Sequence, residues 1–174
     1  MKRIVTLVML QVLTAGVCFA SPKGNSARAE FRNAAGQSVG TAAFKQVKTG
    51  VQISLSLSGF PAGTHAFHIH AVGKCDPPDF KTAGGHFNPE GKKHGLKNPE
   101  GPHAGDMPNI TVGANGKGKA KVLNTRVTLG EGANSLFHEG GTALVIHEKA
   151  DDDMTDPAGN AGNRIACGVI EKAQ

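Results

Sequence analysis

Helical periodicity is missing from this sequence beyond its first twenty residues, which argues against an α fold. Long apolar runs are missing too, except for IVTLVMLQVLTAGVCFA, from Ile4 to Ala20. That run is short for a membrane span and no second one follows it. Lys2 and Arg3 precede it, and Cys18-Phe19-Ala20 offers small residues before Ser21. The pattern predicts a secretory signal over residues 1–20, removed on export. A retained N-terminal anchor is the alternative; lipidation at Cys18 is a third, disfavoured by the bulk of Val17. Charge of one sign is scarce. Lys and Arg total 19 against 14 acidic residues, a net +5; loss of Lys2 and Arg3 leaves 17 and a net +3. So small an excess is too weak to argue for nucleic-acid binding, and favours small anions over cationic substrates. Tryptophan and tyrosine are absent, and eight phenylalanines carry all the aromatic surface. Of three cysteines, Cys18 leaves with the signal, so Cys75 and Cys167 remain. An even pair in an exported chain predicts one disulfide. Its loop of about ninety residues would contribute roughly 4–5 kcal/mol in the chain-entropy model.

What the chain does contain reads as β structure. Residues 21–27, SPKGNSA, look like a flexible leader, with one domain over 28–174. VQISLSLSGF alternates Val51, Ile53, Leu55 and Leu57 with Gln52, Ser54, Ser56 and Ser58, the period of a half-buried strand. NITVGANGKGKAKVLN predicts a hairpin around Ala114-Asn115-Gly116, because Asn-Gly accepts positive φ. TALVIHE and RIACGVIE are short apolar runs suited to central strands. With 24 glycines and 9 prolines among short strands, a sandwich or Greek-key barrel is the natural class. Two segments break the pattern, Gly73–Asn109 and Glu148–Asn163. Loops that long in a compact domain are functional or disordered.

The histidines concentrate in and around these loops. THAFHIHAV, Thr64–Val72, has three in six residues. Strand alternation puts His68 and His70 on one face, close enough to bind one ion, and His65 with Phe67 and Ile69 on the other. His65 is therefore read as a structural histidine satisfied by backbone. In the first loop, His86-x7-His94-x8-His103-x2-Asp106 supplies three imidazoles and a carboxylate, a tetrahedral set that suits zinc. Four protein ligands leave no open position, so that site would be structural. Asp151 to Asp153 is an acidic run, of which Asp152 and Asp153 read as solvated; His138 has no partner in the pattern and reads as surface.

FHIHAVGKC, AGGHFNPEGKKHG, GPHAGD, LVIHEKADD and GNAGNRIACG, in this order, resemble the signature blocks of the copper/zinc superoxide dismutase family. The exported bacterial branch is nearer than the cytosolic one. The resemblance covers most of the mature chain and implies an all-β fold: an eight-stranded Greek-key β-barrel, a flattened sandwich, with two long functional loops. It implies copper on His68, His70, His86 and His147, and zinc on His86, His94, His103 and Asp106, with His86 bridging the metals. It implies that Asp151 hydrogen-bonds one ligand histidine of each site, that Arg164 faces the incoming anion, and that Cys75 and Cys167 tie the first loop to the barrel. The second loop lacks the charged cluster of cytosolic relatives.

The implied activity converts two superoxide anions and two protons to dioxygen and hydrogen peroxide. Zinc has no accessible redox couple, so copper must do the one-electron step. In the implied cycle His86 leaves copper on reduction, takes up a proton and stays on zinc. The expected partner is the small anion alone, with no nucleic acid and no membrane after signal cleavage; a homodimer is an open alternative. The expected compartment is the periplasm, ahead of the outer surface or a lipid anchor. Two other readings compete. A copper carrier or metal buffer on the same barrel would need no turnover, and a mononuclear zinc hydrolase would need an open zinc position, which the full ligand set denies it.

Overall fold

The structure is a computed structural model that describes residues 25–173. The signal expected over 1–20 lies outside the described residues. The leader expected over 21–27 ends earlier than expected, because β1 (Ser26–Asn33) already contains Ser26 and Ala27. Ala27 and Ala29 point inward beside Phe31, all three buried. Alanines this small do not mark a strand by hydrophobicity, which is why the pattern began too late.

The remaining strands are β2 (Ser38–Val47), β3 (Gly50–Leu57), β4 (Gly63–His65), β5 (Phe67–His70), β6 (Ile110–Val112), β7 (Gly118–Asn124), β8 (Ala143–His147), β9 (Arg164–Val169) and β10 (Glu171–Lys172). All pairings between them are antiparallel, in the order β4-β6-β7-β3-β2-β1-β9-β8-β5, with β10 on β1. The two ends of that order, β4 and β5, are one run of chain interrupted only at Ala66. The sheet therefore closes on itself through the backbone, a nearly closed barrel. β9 and β10 are likewise one run broken at Ile170. Joining each broken run leaves eight strands, the number that the family resemblance implies. The only helical element among the described residues is a 3-10 turn at Lys81–Ala83, and no helix is long and apolar enough to cross a membrane.

Alternation fixes what lies inside. Val51, Ile53, Leu55 and Leu57 are buried while Ser54, Ser56 and Ser58 are exposed. Phe31, Phe44, Phe67, Ile69, Leu144 and Ile146 join them in one core. The hairpin forms as expected, with Gly116 at φ +70° and Gly113 N–H donating to Lys117 O at 2.9 Å. β5 differs from a simple two-faced strand, since all four of its residues are buried. Phe67 and Ile69 enter the core. His68 and His70 lie on the outer face, in register with Val145 and Ala143 of β8, and Val145 is in register with Cys167 of β9. Phe80 and Ala83 of the first loop cover that outer face, packing with Ala143, Val145 and Cys167. The Cys75–Cys167 disulfide fastens the loop there.

Candidate metal centre

Each histidine on the outer face of β5 and β8 has one ring nitrogen committed to a partner and one left over. His68 Nε2 lies 2.6 Å from Asp151 Oδ2. His70 Nδ1 lies 2.9 Å from Gly84 O, and His147 Nδ1 lies 3.4 Å from Gly162 O. His86 is brought in by the loop, its backbone bridged to His70, with Nδ1 2.9 Å from Asp106 Oδ1. The four remaining nitrogens, His68 Nδ1, His70 Nε2, His86 Nε2 and His147 Nε2, are buried without a hydrogen-bond partner. Each of these residues offers a ligand atom within 4.8 Å of the others. Buried polar atoms are almost always paired. Four orphans in one pocket, with their lone pairs freed by the hydrogen bonds at the opposite nitrogens, are the donor set that a nitrogen-binding metal completes.

Burial acts on the same rings. It pushes His86 down to about 4 and His147 down to about 3, with neighbouring imidazole charge adding to both shifts. His70 is held well below its ordinary value by burial and then by His86. All three stay neutral near pH 7, as metal ligation requires.

A second cluster shares His86. The Nδ1 atoms of His86, His94 and His103 lie 2.9, 3.1 and 3.3 Å from Asp106 Oδ1, and His103 Nδ1 is 3.4 Å from His86 Nδ1. One carboxylate oxygen cannot accept three good hydrogen bonds from such crowded rings, whereas a cation at their centre takes all four atoms as ligands. Asp106 Oδ2 accepts from the Gly95 and His103 amides at 2.9 Å each. Burial would raise the Asp106 pKa, but the three histidines and the Gly95 amide outweigh it and hold the carboxyl far below the carboxylate range. For His94, burial is outweighed by Asp106 and Asp151, which raise it to about 10.

Asp151 spans both clusters. Its Oδ2 meets His68, and its Oδ1 lies 3.0 Å from His94 Nε2. Asn109 holds it in place, donating to Asp151 O and accepting from Asp151 N at 2.9 and 2.8 Å. Gly159 makes room for it: at φ +62°, a Cβ there would collide with Asp151 Oδ1 and lie 2.7 Å from His94 Nε2.

Arg164 donates to Phe80 O at 2.8 Å and Gly84 O at 2.7 Å. Gly84 O thus serves both Arg164 and His70. Five guanidinium N–H groups minus two leave donors free for a cleft of about 400 Å³ lined by Pro78, Asp79, Lys81, Gly162, Asn163 and Arg164. His65 stands apart from both clusters, its ring nitrogens 2.9 Å from His147 O and 3.0 Å from Pro61 O. It braces β4 against the end of β8.

Two local expectations need correction. Asp153 is not a solvated member of the acidic run: its side chain is 15% exposed, pairs with Lys97 at 2.9 Å, and its carbonyl accepts from Lys97 N. His138 is not simply surface, because its ring stacks on Phe87 with centroids 5.2 Å apart. Asn109, Gly159 and Asp156, which accepts from the His94 amide at 2.8 Å, escaped sequence reasoning. Asn109 and Gly159 act on Asp151, and Asp156 on His94, from positions that share no recognisable spacing with them.

The family described as copper/zinc superoxide dismutase matches residues 38–170. Copper/zinc superoxide dismutase 1 of Aquifex aeolicus is 59% identical over 145 residues, covering 82% of this chain and 86% of that protein. The copper/zinc superoxide dismutase of Caulobacter vibrioides is 38% identical over 149 residues, covering 84% and 86%. The crystal structure of a SOD-like protein from Bacillus subtilis, with a tyrosine and a proline replaced by histidine, superposes with a TM-score of 0.80 at 42% identity, covering 86% of this chain and 98% of that one.

Proposed function

The chain belongs to the copper/zinc superoxide dismutase family, and on that premise we propose that His68, His70, His86 and His147 hold its copper, and His86, His94, His103 and Asp106 its zinc. Its activity converts two superoxide anions and two protons to dioxygen and hydrogen peroxide, with copper and zinc as cofactors. Bound copper supplies the one-electron couple, and bound zinc supplies a fixed positive charge without redox chemistry.

The observation that carries the assignment is the set of four orphaned ring nitrogens, one of them on the histidine that also enters the three-imidazole, one-carboxylate cluster. The chain's own residues then divide the work. Asp151 holds the His68 and His94 rings in one orientation each, by hydrogen bonds at their Nε2 atoms. His86, pinned through Nδ1, has its Nε2 left to hold a proton and pass it on. The free donors of Arg164 hold the anion in the cleft that Arg164 lines, where a guanidinium keeps its charge at every working pH. The barrel and the disulfide keep Phe80 and Gly84, the acceptors of Arg164, fixed relative to His70.

The disulfide and the bacterial relatives point to an exported protein. We assign it to the periplasm, with residues 1–20 as the signal removed on the way and no membrane attachment afterwards.

Direct observation of superoxide decay after a pulse tests the reading. Mature protein loaded with copper and zinc should remove superoxide near the diffusion limit, saturating at one copper per chain, and zinc-only protein should not. Equal, slow decay in both samples would leave a metal-binding protein without turnover.

A further inference from the structure

The turn that carries two of the proposed zinc ligands is gripped from outside by a cation that has no part in the ligand set. Arg126 follows the end of β7. Its Nε donates to His103 O at 3.2 Å, and its guanidinium also donates to Asp106 O at 2.5 Å. Neither bond goes to a carboxylate; both go to backbone carbonyls of residues whose side chains belong to the second cluster. His103 O also accepts from Asp106 N at 3.3 Å, and His103 N donates to Asp106 Oδ2 at 2.9 Å. The turn is thus a closed ring of bonds with the guanidinium fork across its open side.

The fork is itself held. Arg126 N donates to Asn124 Oδ1 at 2.9 Å, and Asn134 Nδ2 donates to Arg126 O at 2.9 Å. The buried Asn124 reaches the same turn independently, donating to Ala104 O at 2.8 Å. Three carbonyls within four residues of the turn therefore answer to the end of one strand. That strand pairs with β3 in the barrel wall, so the wall sets where His103 Nδ1 and Asp106 Oδ1 sit.

We propose that Arg126 is a positioning residue for the zinc set: its planar fork fixes the His103–Asp106 turn so that Nδ1 and Oδ1 converge before metal arrives. The proposal rests on the zinc assignment above. Two effects of Arg126 on zinc have opposite signs. As a charge beside Asp106, it repels a dication and weakens binding. As a two-point clamp, it pre-pays the ordering of the turn and strengthens binding; outer-shell partners of this kind are worth about 10–100-fold in metal affinity. Lysine keeps the charge but cannot span two carbonyls with a rigid fork. The two effects therefore separate by substitution.

Arg126→Lys and Arg126→Met are compared with native protein and with Lys121→Met, which removes an exposed cation from β7, the strand that Arg126 follows. Zinc affinity is read by chelator competition on copper-loaded protein. Geometry is read from the visible bands of cobalt(II) in place of zinc, a signature that general loss of stability leaves unchanged in the folded fraction. The clamp predicts that both Arg126 variants lose about 10–100-fold in zinc affinity and show altered cobalt bands, with copper still at one per chain and Lys121→Met unchanged. Native affinity in Arg126→Lys, or tighter zinc in Arg126→Met, would overturn it in favour of a charge effect. Unchanged affinity in both would also overturn it. Should Arg126→Met fail to fold, Arg126→Lys decides alone. Native protein that binds cobalt without tetrahedral bands would instead overturn the zinc assignment beneath the proposal.

Discussion

Gly159 shows how little space the bridge between the two clusters has. A residue at φ +62° with Asp151 Oδ1 against its missing Cβ tolerates no side chain, and the left-handed backbone adds about 1–2 kcal/mol for any other residue. Gly159→Ala should therefore push the Asp151 carboxylate off His68, His94 or both. The expected outcome is a loss of about 10–100-fold in copper or zinc affinity, measured by chelator competition, in a protein that still folds. Unchanged affinity for both metals would show that Asp151 can keep its contacts around a methyl group. At this scale, the proposed ligands were legible in the sequence because histidines at His-x-His and in a 21-residue window are rare enough to mean something. The residues that orient them were not. Asn109, Gly159 and Arg126 are common types in loops or at a strand end, and their partners lie 42, 8 and 20 or more residues away.

β5 and β8 explain why one short strand carries so much. Their inward residues build the core, and their outward residues carry His68, His70 and His147 beneath the first loop. The period of two was readable from FHIH; that the second face is buried as well was not, because the cover comes from residues 80 to 83. The broken runs at Ala66 and Ile170, and the small alanines of β1, hid strand ends for the same reason: the pairing partners are distant, and the local pattern is weak. The loop cover depends on its anchor. Cys75→Ala with Cys167→Ala should lower stability by about 2–5 kcal/mol, measured as a shift of the denaturant midpoint. Since Phe80 and Gly84 accept from Arg164, the same change should also slow superoxide removal in the folded protein. A double variant with native midpoint and native rate would show that the Phe80 and Ala83 packing holds the loop without the bridge.

The whole molecule is only mildly cationic, and its second loop lacks the charged cluster of cytosolic relatives, so the cations around the cleft are left to attract the anion. Arg164 and Lys81 both line that cleft. Lys81 is paired with Asp79 at 2.7 Å, yet its side chain is 81% exposed, so its charge still reaches approaching ions. Lys81→Glu should slow superoxide removal by about threefold to tenfold at 0.01 M salt. The difference should shrink toward 1 M, where the Debye length falls from about 30 Å to about 3 Å. A salt-independent effect would mean that Lys81 shapes the cleft and does not steer. The mild positive charge was visible in the sequence; that Lys81 lines the same cleft as Arg164 was not, because there it is one lysine among many.

The proposed metal centre stands or falls on the single imidazole of His86 belonging to two ligand sets. Copper(II) loaded into both sets, with the spin signal integrated at low temperature, tests it directly. A shared imidazolate couples the two spins in opposition, so the account predicts an intensity far below two spins per chain, against one spin per chain for the copper–zinc protein. Two full, independent spins per chain would contradict it and separate the sites.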